Sequence, residues 1–226
     1  MSNEKNVLEL KGVIKSYRQG KQNLEVLTGV NLEIKTGDII ALVGQSGAGK
    51  STMLQIAGLL DKPTSGKVIL DGINVSKVSD DIRTNLRRDY VGFVYQYHNL
   101  LSDFSALENV MLPMLANGVD ENLARARAMK LLRAASVAHR ASHLPGEMSG
   151  GEQQRTAVAR ALANGPDILL ADEPTGSLDP MHAGSVFDLL LDLVRRNKMA
   201  MLFVTHDMNL AKKADRIITI KDGIVK

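Results

Sequence analysis

The feature that most constrains this sequence is a glycine-rich octapeptide that ends in lysine and serine. It reads Gly44-Gln45-Ser46-Gly47-Ala48-Gly49-Lys50-Ser51 and fits the pattern G-x4-G-K-[ST]. An apolar stretch typical of a strand precedes it (39–43), and a helical stretch that begins at Thr52 follows it. Such a turn points backbone N–H groups at phosphate oxygens, and the helix N-terminus adds positive charge. We therefore expect a phosphate-binding loop in which Lys50 contacts the β- and γ-phosphates and Ser51 offers its hydroxyl to Mg²⁺.

A second candidate site is a pair of adjacent acids, Asp172 and Glu173, at the end of the apolar stretch 168–171. Neighbouring carboxylates repel each other, and a cation relieves the repulsion. We expect Asp172 to hold Mg²⁺, directly or through water, and Glu173 to polarise the attacking water as a general base. The alternative interpretation is a solvated loop with two capping acids.

Short apolar runs alternate with helical patterns along the chain, as in the predicted helices 121–138 and 181–196. This alternation predicts an α/β fold with a largely parallel sheet. The strands before Gly37 have more turn residues and predict an antiparallel β edge. The segment of about 97–162 is almost entirely helical in pattern, so we expect a helical subdomain inserted into an α/β core of about 1–96 and 163–226.

Composition excludes several classes of protein. The chain has no cysteine, which excludes disulfides, thiolate metal sites and a cysteine nucleophile. Its N-terminus lacks the apolar core of a signal peptide, and no apolar run approaches the ~20 residues of a membrane span. The net charge of +3 does not predict nucleic-acid binding, and we interpret the basic cluster Arg83, Arg87 and Arg88 as a solvated helix face. A GTPase is also disfavoured, because 197–200 lacks the aspartate of N-K-x-D.

The sequence Ser149-Gly150-Gly151-Glu152 precedes a helical run and has the S-x-x-E spacing of a capping box. Two glycines at a helix start also leave backbone donors open to an anion. A plain helix cap explains the serine and the glutamate but not the paired glycines. From these residues alone, the cap and the anion site both remain open.

Taken together, these motifs resemble the nucleotide-binding domain of an ABC transporter, over residues 5–226 and in the family's order. The resemblance implies one P-loop ATPase domain (1–226) that binds ATP and Mg²⁺. The implied ATP contacts are residues 44–52, including Thr52, the signature residues Ser149, Gly150, Gly151 and Glu152, Asp179 of the D-loop, and Tyr17 against the adenine.

The implied catalytic group consists of Glu173, His206 and Gln96. His206 would contact the γ-phosphate and position the water, and Gln96 would sense Mg²⁺, which Ser51 and Asp172 also hold. The signature departs from the family pattern because it ends in Glu152 instead of glutamine. The assignment of Tyr17 depends on its position alone.

The resemblance also implies partners. ATP would lie between residues 44–51 of one copy and 149–151 of a second, which gives a homodimer with two composite sites. Residues 97–110 and 170–179 resemble the lipoprotein-releasing branch of the family, with related macrolide exporters and a cell-division ATPase as alternatives. We therefore expect integral membrane transporter subunits as partners, a peripheral location on the cytoplasmic face of the bacterial inner membrane, no membrane span and no nucleic acid.

Overall fold

The computed structural model describes residues 5–20 and 22–226, and within them ten strands form two sheets. The strands are β1 (Asn6–Gln19), β2 (Gln22–Lys35), β3 (Ile39–Val43), β4 (Ser65–Leu70), β5 (Ile73–Asn74), β6 (Val91–Tyr95), β7 (Ile168–Asp172), β8 (Ala200–Val204), β9 (Arg216–Lys221) and β10 (Ile224–Val225). The helices are α1 (Lys50–Ala57), α2 (Asp80–Tyr90), α3 (Ala106–Ala116), α4 (Glu121–Ala134), α5 (Gly150–Ala161), α6 (Pro180–Arg196) and α7 (Met208–Ala211). This arrangement confirms the predicted α/β class.

The larger sheet has the strand order β10-β9-β3-β8-β7-β6, and all its pairings are parallel except that of β10 with β9. Its register pairs Leu42 with Val204, Val204 with Asp172, and Asp172 with Tyr95. The carboxyl ends of β3, β8, β7 and β6 are therefore level. Residues that follow these four strands leave the sheet at one edge.

The antiparallel strands form a sheet of their own, in the order β2-β1-β4-β5, rather than an edge of the parallel sheet. Burial alternates along most of β2, so one face of this sheet is apolar and needs a cover. Helix α1 supplies it, since Met53 and Ile56 are fully buried in one cluster with Leu8 of β1 and Leu202 of β8. The phosphate loop that precedes α1 is thus held between two sheets.

The opposite face of the parallel sheet is covered by α5 and α6. Phe187 of α6 packs edge-on against Phe203 of β8, with ring centroids 5.0 Å apart. Val158 of α5 and Leu190 of α6 are buried in the same cluster. Because both faces are covered there, the inner strands β3, β7 and β8 are almost entirely apolar, which explains the runs seen in the sequence.

Helices α3, α4 and α5 share a separate hydrophobic cluster that includes Val110, Met114 and Leu132. Helix α4 ends at Ala134, so the prediction that it extends to residue 138 is wrong at its C-terminus. The chain turns there because Ser136 adopts a left-handed conformation, with φ of 56°. A short 3₁₀ turn, Ala138–Arg140, follows.

The sequence suggested that the three arginines of α2 form one solvated face, but the structure does not place them so. The side chain of Arg83 is only 14% exposed and pairs with Asp80. Arg87 donates to the carbonyl of Leu59, and Arg88 bonds to Asp89. Among the described residues, no helix combines the length and the apolar character that are needed to cross a bilayer.

Candidate functional site

The glycine-rich loop occupies the turn from β3 to α1, and two of its glycines, Gly44 and Gly49, lie too close to neighbouring backbone for a side chain. A side-chain carbon at Gly44 would lie 2.5 Å from the carbonyl oxygen of Ile220. Gly49 is the N-cap of α1, in a left-handed conformation with φ of 99°. A glycine N-cap has no side-chain acceptor for the first N–H groups of the helix. These groups and the positive end of the helix dipole can therefore bind an anion.

The ammonium group of Lys50 lies over this loop. It donates to the carbonyl oxygens of Gly44 and Gln45, each at 2.8 Å. Both partners are neutral, so a phosphate oxygen that entered the loop would be a stronger acceptor for the same charged group.

A cavity of about 500 Å³ opens beside the loop. It brings together the predicted residues Ser46, Gly47, Gly49, Lys50, Ser51, Thr52, Gln96, Asp172 and Glu173, along with Val26, Tyr95, Tyr97, Asn99 and Val204. Gly44, Gln45 and Ala48 line an adjacent cavity against β9. The level strand ends explain this meeting, since Gln96 follows β6, Asp172 ends β7 and Glu173 follows it.

Three side chains of the cavity offer the oxygen ligands that Mg²⁺ prefers: the hydroxyl of Ser51, the amide of Gln96 and the carboxylate of Asp172. No group of three or more His, Cys, Asp or Glu in the described part of the chain could hold a metal ion. A single carboxylate suits a magnesium ion that takes further ligands from water and from substrate phosphates. The residues present therefore fit Mg²⁺ as a companion of a bound nucleotide.

Glu173 and His206 are in direct contact. The Nδ1 atom of His206 lies 2.9 Å from Oε1 of Glu173. Glu173 has a left-handed backbone, with φ of 47°, and its N–H donates to the carbonyl of Val204. Glu173 lines the cavity, and since Oε1 contacts the imidazole, the other carboxylate oxygen can accept from a water molecule there.

The segment that resembles the family signature begins α5, and its predicted capping box is confirmed. Glu152 N–H donates to the Ser149 hydroxyl at 3.3 Å, and Ser149 N–H donates to Oε2 of Glu152 at 2.8 Å. Side-chain carbons would meet only one distant neighbour at Gly150 and none at Gly151, so this helix start is open. Of the residues described, Ser149–Glu152 are not among those that line the 500 Å³ cavity.

The glutamate of this segment is bonded at both oxygens. Besides the cap, Oε1 of Glu152 accepts from Nε of Arg140 at 2.7 Å and lies 3.2 Å from Nε2 of His139. The Arg140 guanidinium is the main cause that lowers the pKa of Glu152 to about 2, and the N–H and hydroxyl of Ser149 add to the effect. The carboxylate is therefore charged at any physiological pH.

Asp179 and Tyr17, two other predicted nucleotide contacts, are bonded within the chain. Asp179 caps α6 by accepting from the N–H groups of Met181 and His182, and it also pairs with the His182 ring at 2.8 Å. The Tyr17 hydroxyl donates to Asp61 at 2.8 Å, and Lys15 lies 4.7 Å from its ring centroid. Neither residue lines the cavity in the described structure, so their roles toward a nucleotide stay predictions.

Sequence reasoning missed Gln154 and Arg160, two polar residues of α5 that tie the helix to the cavity. Gln154 is fully buried, and its amide donates to the carbonyls of Tyr95 and Pro174, next to Gln96 and Glu173. Arg160 donates to the carbonyls of His98 and Asn99. The only signal in the sequence was that these polar residues lie on the side of the predicted helix that packs against the protein. It could not identify the partners, which lie 20 to 62 positions away.

Comparison with known proteins gives consistent results. The sequence family described as ABC transporter matches residues 27–176. The lipoprotein-releasing system ATP-binding protein LolD 1 of Rhodospirillum rubrum is 54% identical over 218 residues, which are 96% of each chain. The LolD protein of Paramagnetospirillum magneticum is 53% identical, also with 96% of each chain covered.

Solved structures agree with the fold. A dimeric post-hydrolysis structure of the ATP-binding cassette MJ0796, bound to ADP and phosphate, matches with a TM-score of 0.89 and 44% identity, over 97% of this chain and 96% of that one. The cassette cbiO1 of Clostridium perfringens, part of the transporter complex cbiONQ, matches with a TM-score of 0.87 and 27% identity, over 99% of this chain and 88% of that one.

The lowered pKa of Glu152 predicts a pH-dependent contribution to stability. A carboxyl whose pKa falls from 4.5 to about 2 on folding stabilises the fold above pH ~4.5, and this contribution disappears as the pH falls towards 2. We expect Glu152→Gln to lower the free energy of unfolding at pH 7 by about 1 kcal/mol. The difference from the parent should narrow below pH ~4.5, as measured by urea unfolding at several pH values. Glu121→Gln, in the exposed first turn of α4, is the control, and a difference for Glu152→Gln that did not change with pH would contradict the prediction.

Proposed function

This chain belongs to the ABC transporter family and is an ATPase of that family, and from this premise we propose that its ATP hydrolysis powers the release of lipoproteins from the bacterial inner membrane. The two relatives reported above support this cargo, since both are named as lipoprotein-releasing system proteins and match 96% of the chain. Neither is named as a macrolide exporter or a cell-division ATPase, the alternatives considered from the sequence.

The observation that carries the proposal is that the carboxyl ends of β3, β8, β7 and β6 are level. We call this line of strand ends the catalytic edge. The glycine-rich loop, His206, the Asp172–Glu173 pair and Gln96 follow or end these four strands. Positioning and electrostatic stabilisation are what phosphoryl transfer requires from a protein. This edge supplies phosphate donors, oxygen ligands for a cation and a general base together.

In this proposal the ATP phosphates bind residues 44–52. The backbone N–H groups and the α1 N-terminus take the phosphate oxygens, and Lys50 exchanges its two carbonyl acceptors for the β- and γ-phosphates. Ser51, Gln96 and Asp172 would hold Mg²⁺, which neutralises charge that develops on the phosphates. Tyr17 is proposed to stack on the adenine.

Glu173 is the proposed general base. Its carboxylate takes the proton of the attacking water, and the contact with His206 orients that carboxylate while the imidazole reaches the γ-phosphate. Gln96 aligns the water from the end of β6. The water oxygen bonds to the γ-phosphorus as the bond between that phosphorus and the β–γ bridging oxygen breaks. ADP leaves with the bridging oxygen, and the phosphoryl group becomes inorganic phosphate.

A second copy of the chain completes the proposed site. Ser149–Glu152 do not line the cavity of their own chain, and the open helix start of α5 suits the γ-phosphate held by a partner. Asp179 lies in the loop proposed to cross the same interface. The dimeric MJ0796 structure, 44% identical, supports this arrangement. Loss of the γ-phosphate removes the shared contact, and the pair opens.

We propose integral membrane subunits of the LolC and LolE kind as the other partners, at the cytoplasmic face of the inner membrane. Residues 97–162, including α3, α4 and α5, would form the helical subdomain that meets them. The exposed apolar side chains Tyr97, Leu101 and Phe104 lie within eight positions after Gln96, so a contact with a membrane subunit there can reach the ends of the strands that carry the proposed catalytic residues.

Lys50→Ala should weaken ATP binding by about tenfold or more, because a hydrogen-bonded charge on the phosphates is lost. The measurement is titration with a fluorescent ATP analogue. Lys67→Ala, on an exposed position of β4, is the matched control. Equal affinity of the Lys50 variant and the parent would contradict the phosphate-binding assignment.

Glu173→Gln should bind ATP but hydrolyse it at least about 100-fold more slowly, because the amide cannot accept the proton of water. ATP would then persist at the interface, so the variant should become dimeric with ATP and Mg²⁺ in light scattering. Glu121→Gln should behave as the parent does. Hydrolysis by Glu173→Gln at nearly the parent's rate would contradict the role of general base.

The membrane partner can be identified by capture of the tagged chain from detergent-solubilised inner membranes. We expect LolC- and LolE-type subunits, and we expect Leu101→Ser/Phe104→Ser, at two exposed positions that do not line the described cavity, to reduce their recovery at unchanged ATP affinity. Ile82→Ser, a similarly exposed apolar position on α2, is the control. Recovery of exporter or cell-division membrane subunits instead would overturn the assigned cargo.

A further inference from the structure

The acid at the fifth signature position poses an electrostatic problem. Glu152 lies in the first turn of α5, where its negative charge stabilises the helix by interacting with the dipole. In the proposed dimer, the same helix end receives the negative γ-phosphate of the nucleotide on the other copy. An unpaired carboxylate there opposes ATP binding, since like charges across an interface are unfavourable. The inference below rests on this proposed two-copy site.

The structure pairs this carboxylate with a cation from outside the helix. Nε of Arg140 donates to Oε1 of Glu152 at 2.7 Å, while Oε2 accepts from the N–H and hydroxyl of Ser149 at 2.8 and 2.9 Å. His139 adds a fourth contact at 3.2 Å. The Glu152 side chain is only 18% exposed, so its charge is answered mainly by protein groups and less by water.

The position of Arg140 is itself fixed by the fold. It ends the short 3₁₀ turn Ala138–Arg140, after the chain reverses at Ser136. Its Nη1 atom lies 3.1 Å from Nε2 of His143, so the guanidinium is held between that imidazole and Glu152. The guanidinium is therefore aimed at the carboxylate before any nucleotide arrives.

We propose that Arg140 is a positioning residue for ATP, which neutralises Glu152 so that the carboxylate can cap α5 without repelling the γ-phosphate held by the second copy. The net charge of Glu152 and Arg140 together is zero, which equals the charge of a glutamine side chain at the fifth position. Glutamine can also serve in a capping box, so Glu152→Gln removes the charge and keeps the cap. This substitution separates charge from structure.

The test measures the ATPase kinetics of the full chain with ATP and Mg²⁺. Arg140→Met should raise KM for ATP about tenfold and change kcat less than about twofold, because the binding of phosphate is what suffers. Added salt should reduce this defect, since it screens the exposed charge. The double variant Glu152→Gln/Arg140→Met should return KM to near the parent's value, and Arg140→Lys should give an intermediate KM.

Two controls accompany these variants. Arg133→Met removes the same charge from an exposed position of α4 and should leave KM unchanged. Thermal unfolding reports whether each variant folds, and Arg140→Gln replaces Arg140→Met if the latter does not.

Three results would overturn the inference. If Arg140→Met, or Arg140→Gln in its place, keeps the parent's KM for ATP, the charge of Glu152 needs no partner. If the double variant is as impaired as Arg140→Met, Arg140 supports the structure rather than the charge balance. A parent chain that hydrolysed no ATP would overturn the proposed function together with this inference, whereas an active parent with an unaffected Arg140 variant would overturn the inference alone.

Discussion

The hydrogen-bonded register of four parallel strands is the constraint on which the site depends. Leu42 pairs with Val204, Val204 pairs with Asp172, and Asp172 pairs with Tyr95. These pairings make the strand ends level. Parallel neighbours require long crossover connections, so the strand pairing brings together residues that lie far apart in sequence. A shift of one strand by a single residue would exchange the side chains that pack on the α1 side of the sheet with those that pack on the α6 side. The tight packing on both faces of the sheet therefore fixes the geometry of the site.

The strained backbone at Glu173 shows how firmly this edge is held. A glutamate in the left-handed region costs about 1 kcal/mol or more, and such residues persist where surrounding bonds determine them. Here its N–H donates to Val204, its carbonyl accepts from Gly176, and its carboxylate contacts His206. The turn places the side chain of Glu173 at the cavity, whereas an extended continuation of β7 would direct it towards one face of the sheet. The strain thus belongs to the arrangement that places the proposed base at the cavity.

The sequence predicted those parts of the protein that local pattern determines. The glycine-rich turn, the acids at the end of β7 and the capping box of α5 each carry their signal within a few residues. The separate antiparallel sheet could not be predicted, because strand alternation does not say which sheet a strand joins. The contacts of Arg140, Gln154 and Arg160 could not be predicted from the sequence either. Each is a polar side chain whose partner is fixed by tertiary packing, so its spacing alone resembles that of an ordinary helix.

The missed residues explain how two separated parts of the chain can act together. The amide of Gln154 bridges the carbonyls of Tyr95 and Pro174, so α5 is bonded to the ends of both β6 and β7. Those strand ends carry Gln96 and the Asp172–Glu173 pair, while the N-terminus of the same helix carries Ser149 and Glu152. A buried donor in such a bridge is costly to leave unpaired, which resists independent movement of the helix and the strands. In the proposed dimer, a nucleotide bound at the start of α5 would act on an element already joined to the strand ends that carry Gln96 and Glu173. The two proposed composite sites would then be mechanically connected through each subunit.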